Sequence, residues 1–159
     1  MDSGLIGAVL SLENDRERRP EILISAMGTW SPAFVGTGVA GTFTYTVQQG
    51  YYTLIGDRMF INGRIAISAI AVNPTGSMQI TGQPGQASAD ANSYNVIDFI
   101  TSSLDFDAGF TFAKGEIDPG GTTIFIAECG DNASYAILQG GTFDNNPAVD
   151  IIFSGSYKI

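Results

Sequence analysis

At 159 residues, 44% of them apolar and including ten Phe and six Tyr, the chain has material for one packed domain rather than two. A formal charge of −9 repels phosphate backbones, and the one basic cluster (Arg16, Arg18, Arg19) is interleaved with Glu13, Asp15, Glu17 and Glu21, so a nucleic-acid partner is excluded. With no histidine and a lone cysteine, Cys129, the chain offers no catalytic triad, no disulfide framework and no ordinary zinc set; neither an enzyme nor a cofactor is expected.

Residues 1–27 differ in character from the rest. An apolar stretch, Gly4–Leu12, is followed by the charged stretch Glu13–Glu21 and a second apolar run beginning at Ile22. Leu5, Val9 and Leu12 fall at i, i+4 and i+7, a helical stripe of barely two turns that needs a surface to pack on. We therefore read 1–27 as an N-terminal docking or assembly arm, carried by Leu5, Val9, Leu12 and Ile22. Its apolar stretch is nine residues, against about 18 for a membrane span, and Met1-Asp2-Ser3 has no positive region of an export signal, so no membrane insertion is expected.

From Gly28 onward the sequence reads as strand after strand. Trp30 beside Pro32 is a packing anchor. Thr42–Val47 is β-branched and aromatic, and Gln49-Gly50 closes it before Tyr51–Ile55, in which Tyr51 and Tyr52 must face opposite sides. After the turn pair Gly56-Asp57 comes a long strand, Met59–Val72, broken by the turn or bulge signal Asn62-Gly63. Asn73-Pro74-Thr75-Gly76 turns into Ser77–Thr81, and Gly82–Ser93 is a polar loop. Tyr94–Thr101 follows, then Leu104–Ala113, where Leu104, Phe106, Ala108, Phe110 and Phe112 alternate with Asp105, Asp107, Gly109 and Thr111, the period of a half-buried strand. Asp105 and Asp107 belong to the solvated side of that pattern. Turns at Asp118–Gly121, Asp131-Asn132 and Asp144–Pro147 separate Thr122–Ala127, Ala133–Gln139 and the final strand Ala148–Ile159, with Ile151, Phe153 and Tyr157 on one face. Eight or nine short strands with no helical pattern between them indicate an all-β, antiparallel β-sandwich, jelly-roll-like, over residues 28–159.

Charged residues are only 14%, against roughly 25% in ordinary domains, which suits extended subunit contacts. Loops cluster at the ends of a sandwich, and saccharides are recognised by aromatic faces with Asp and Asn beside them. Candidate receptor-binding residues are accordingly Tyr94, Asp131, Asn132, Tyr135, Asp144 and Asn145. Asp144-Asn145-Asn146 lacks the acid spacing of a calcium loop, and no metal site is expected.

One ordered set of motifs is more specific. Gly28-Thr29-Trp30-Ser31-Pro32 leads to Gly41–Tyr45, Gln49-Gly50-Tyr51-Tyr52 and Leu54-Ile55-Gly56-Asp57, then to Pro74–Gly82 and Ile152–Tyr157. The set resembles the G-T-W-T-P … Q-x-G-x-Y-x-x-I-G … P-T-G-x-x-x-I-x-G-L-P module at the C-terminal ends of tailed-bacteriophage tail-fibre and head-fibre proteins, with Gln83 where the pattern has Leu. The resemblance covers about residues 28–159. It implies a virion structural protein on the particle surface, assembled in the bacterial host cytoplasm and forming a homotrimer. Other virion proteins and a host-surface glycan would be its partners, and it would act as a tail fibre, tip or spike module in attachment. Because only about 27 residues precede the module, a capsid decoration protein clamped to the head by the arm is the alternative.

Overall fold

The computed structural model describes residues 24–130, 134–143 and 148–159. The expected arm residues Leu5, Val9, Leu12 and Ile22 lie outside them, as do Asp131, Asn132, Asp144 and Asn145. Among the described residues there are ten strands, with one short 3₁₀ turn at Gly140–Phe143. They are β1 (Ile24–Trp30), β2 (Ala33–Gly36), β3 (Thr42–Ile55), β4 (Arg58–Val72) and β5 (Met78–Thr81), then β6 (Asn95–Ser102), β7 (Phe112–Ile117), β8 (Ile124–Cys129), β9 (Ala136–Ile137) and β10 (Asp150–Lys158).

The protein is all-β and antiparallel, as expected, and its two layers belong to a single curled sheet. Strand order is β1-β3-β4-β10-β6-β7-β8-β5-β2, with β9 paired to β8. Although β1 and β2 stand at opposite ends of this order, only Ser31 and the buried Pro32 separate them in the chain, so the sheet must fold back on itself. The seam is closed by side chains. The Phe34 N–H of β2 donates to the Tyr45 hydroxyl of β3 at 2.9 Å. Phe34, Phe43 and Phe143 meet edge to face, with ring centroids 5.2–6.2 Å apart. Register shifts between β3 and β4 around Thr42–Val47 add the local bend that this closure needs.

Curling a sheet crowds its concave face, and glycine relieves the crowding. One cross-sheet row runs Trp30–Gly50–Gly63–Phe153–Phe99 over β1, β3, β4, β10 and β6. The Trp30 indole lies over Gly50 and the Phe153 ring over Gly63, and the two rings are tilted against each other at 5.5 Å. The adjacent row, Gly28–Tyr52–Ile61–Gly155–Ile97–Gly115–Ile126, likewise sets glycines among bulky side chains. Two expectations are thereby corrected. Gln49-Gly50 does not close a strand and Asn62-Gly63 does not break one; both glycines sit inside continuous strands, beneath aromatic rings. The turn reading does hold at Gly56, which begins the two-residue β3–β4 hairpin at φ 59°.

Other expectations meet the structure differently. Trp30 is buried as an anchor, Tyr52 packs on the core while Tyr51 is exposed, and Ile151, Phe153 and Tyr157 all point inward. The strand expected over Leu104–Ala113 is not formed: β7 begins at Phe112, whose side chain is exposed, and Ala113 is the buried neighbour. Ser103 and Gly109 take left-handed backbone, at φ 59° and 96°, which ends any extended run between them. Pairing of β1 with β3 starts at Ile24, before Gly28.

Candidate functional site

The convex face of the β6–β9 layer carries the site. Strand alternation puts Val96 and Asp98 of β6, Lys114 and Glu116 of β7, and Phe125, Ala127 and Cys129 of β8 on this side, opposite the buried Ile97, Ile117, Ile124 and Ile126. Register aligns Val96, Glu116 and Phe125 in one row and Asp98, Lys114, Ala127 and Ile137 in the next. Ala127 and Cys129 are small, so the surface dips there.

Tyr94, just before β6, and Tyr135, just before β9, stand beside this dip, 62% and 60% exposed. Together with Val96, Lys114, Glu116, Ala127 and Cys129 they line a groove of about 430 Å³. A second depression of about 260 Å³ shares Tyr94, Glu116 and Tyr135 and extends to Asp118 and Phe125. The Tyr135 hydroxyl donates to Glu116 Oε1 at 3.5 Å, the outer limit of a hydrogen bond. Lys114 is turned to Asp98 in a close ion pair. Burial, and then the neighbouring Asp118, raise the Glu116 carboxyl above its ordinary range, only partly offset by the Tyr135 hydroxyl. The Glu116 charge in turn raises the Tyr135 phenol, and burial raises the Cys129 thiol.

Of the six receptor-binding candidates, Tyr94 and Tyr135 thus come together, and the other four are outside the described residues. The polar Gly82–Ser93 loop is strapped down. Ala87 N–H donates to Gly121 O, Ser88 N–H to Lys158 O and Gly120 N–H to Ser88 O. Gln83, the departure from the fibre motif, spends its amide on Gly85 O and Gly121 O at 3.0 and 3.1 Å. The residue missed from sequence is Glu116. Its signal was the alternation of Lys114 and Glu116 with Ala113, Gly115 and Ile117, obscured by the longer aromatic alternation just before it.

The rest of the convex surface is unusually apolar. Ile100, 72% exposed, pairs with the exposed Ile152 on β10, and Val96 is 64% exposed; Phe60, Tyr51 and Met27 continue across β4, β3 and β1. These exposed apolar side chains are interleaved on the same face with Arg64, Asn62, Thr53 and Ser154. At its centre Arg64 grips Asp150 with two hydrogen bonds, at 3.0 and 2.6 Å.

Fold and surface together define an antiparallel β module with exposed apolar side chains on its convex side. Among solved structures, it is similar in fold to part of the Dettilon tailspike protein (gp208), known from a crystal structure, with a TM-score of 0.67 and 16% sequence identity over 84% of this chain. The chain spans 23% of the tailspike chain, and at this identity the likeness is one of fold. No protein-family model and no curated protein matches the chain.

Proposed function

We propose that this chain is a non-catalytic structural module of a tailed-phage particle, placed in a tail fibre, tip or spike, where it supports attachment to a host-surface glycan. The single observation that carries this reading is the fold shared with part of a phage tailspike over 84% of the chain. The ordered motif set from Gly28 to Tyr157, which resembles the fibre module, supports it independently. The convex apolar surface around Ile100 and Ile152 serves as contact between sister chains in a homotrimer or with other virion proteins. The Tyr94–Tyr135 groove faces the receptor. Among the described residues no helix is long and apolar enough to cross a membrane.

Immunogold labelling of intact virions tests the reading. Label at the tail, together with loss of adsorption when the protein is removed, is the expected result. Label distributed over the head in a copy number matching capsid symmetry would replace it with the decoration reading, in which residues 1–27 clamp the shell.

A further inference from the structure

The groove has a charge pattern that narrows its ligand. The ion pairs among the described residues are Arg64–Asp150, Lys114–Asp98 and Lys158–Asp57. Glu116 and Asp118 are in none of them, although both line the groove system beside two exposed phenol rings. Lys114, the cation that lines it, is already engaged by Asp98. Aromatic faces carry negative quadrupole density, so two rings and two carboxylates favour a cation lodged among them. An anionic ligand would meet repulsion, and a neutral one would leave the partly desolvated Glu116 without a counter-charge. The volume, about 430 Å³, is within the range of about 300–1,000 Å³ typical of small-molecule sites.

We propose that the Tyr94–Tyr135 groove binds an amino sugar, its protonated amine between Glu116 and Asp118 and its C–H face against a tyrosine ring. The proposal rests on the attachment reading and specifies the chemistry recognised: a glycan bearing a free amine. Burial together with the Asp118 charge raises the Glu116 carboxyl, and an arriving ammonium relieves that unfavourable position.

Titration followed by NMR tests it, with glucosamine, N-acetylglucosamine and N-acetyl-lysine methylamide added to the whole protein, to Glu116→Gln and to Tyr94→Ala. Glucosamine is expected to bind about tenfold tighter than N-acetylglucosamine, the preference that one charge-assisted contact supplies. Glu116→Gln should abolish the preference, and Tyr94→Ala should weaken both sugars. Equal affinity for the two sugars, undiminished glucosamine binding in Glu116→Gln, or equal binding of the lysine derivative each overturns the proposal. Both substitutions lie on the convex surface, and retained dispersion of the core resonances shows that each variant is folded. A parallel measurement separates this site from the attachment reading: wild type and Glu116→Gln are compared as inhibitors of phage adsorption to the host. Inhibition fully retained by Glu116→Gln overturns the amine site and leaves attachment standing. Glucosamine bound by a wild type that fails to inhibit adsorption upholds the groove chemistry and removes attachment.

Discussion

A methyl group placed on Gly63 would stand 2.5 Å from both the Phe153 ring and the Gln49 carbonyl oxygen, and the second of these is backbone that cannot swing away. Gly141, by contrast, has open space where a methyl would go. Gly63→Ala is therefore expected to lower unfolding free energy by about 1–3 kcal/mol through overpacking, while Gly141→Ala stays within about 0.5 kcal/mol; urea denaturation compares them. Tyr157 is the other residue with a clear signature. Burial pushes its phenol up to about 12, and its hydroxyl donates to Gly85 O at 3.1 Å. The folded pKa lies above the unfolded value of 10.0, so the stabilisation is complete below pH 10 and is lost as pH rises towards 12. Tyr157→Phe should flatten this alkaline loss, seen by denaturation at pH 9, 10 and 11. Residue chemistry was legible unevenly. Trp30 and Tyr157 declared their burial by size and alternation, and alternation set Tyr51 and Tyr52 on opposite sides without saying which was inward, whereas a glycine in a turn and a glycine beneath a ring are identical on paper. Gly56 and Gly76 serve positive φ, Gly50 and Gly63 serve a neighbour's volume, and only the partner across the sheet distinguishes them.

At the scale of elements, β8 meets the segment between β6 and β7 through one unusual contact. Glu128 is 1% exposed and accepts the Asp107 N–H at 3.1 Å. Burial raises its carboxyl, with Asp107 and Asp105 adding to the rise and the Asp107 N–H opposing it. A carboxyl raised in the folded state contributes stability below its unfolded pKa, near the model-compound value of 4.5, and loses that contribution as pH climbs through the folded value. Glu128→Gln keeps an acceptor for Asp107 without the charge. It should be at least as stable as wild type at pH 7.5 and should lose that advantage on acidification to pH 4; greater wild-type stability at pH 7.5 would contradict the account. The same segment explains the strand wrongly expected at Leu104–Ala113. Period-two alternation says that a chain could lie on a surface, but a strand also needs a free edge to pair with. β7 starts at Phe112 because from there onward β8 lies alongside it, through Phe112–Cys129 and the pairs that follow. β10 was legible because Ile151, Phe153 and Tyr157 carry bulk on one face over its whole length.

On the scale of the molecule, the convex apolar surface predicts association. Solution mass should come to three times the 16.7 kDa chain, and the double substitution Ile100→Asp, Ile152→Asp should reduce it to the single-chain value. Both side chains are exposed and opposite each other in the β6–β10 pair, so the melting cooperativity of the separated chains should persist; an unchanged mass would remove this surface from the assembly. The groove was half legible. Tyr94 and Tyr135 stood out singly as exposed aromatics next to turns, yet nothing along the chain said that β6 and β9 would bring them to one place. That juxtaposition depends on β7 and β8 lying between them, a matter of sheet order rather than of local pattern.

Sheet order also has a temporal side. β10 lies between β4 and β6, holding them through the pairs Ile151–Ile65 and Phe153–Phe99 among others, yet it follows every other described strand in the chain. On the ribosome the nascent polypeptide can form the β3–β4 hairpin early, but the two halves of the sheet have no common neighbour until Tyr157 has left the exit tunnel. A version cut before Asp150 should therefore show no cooperative melting. Closure of the sheet thus waits for β10, the strand made after all the other described ones.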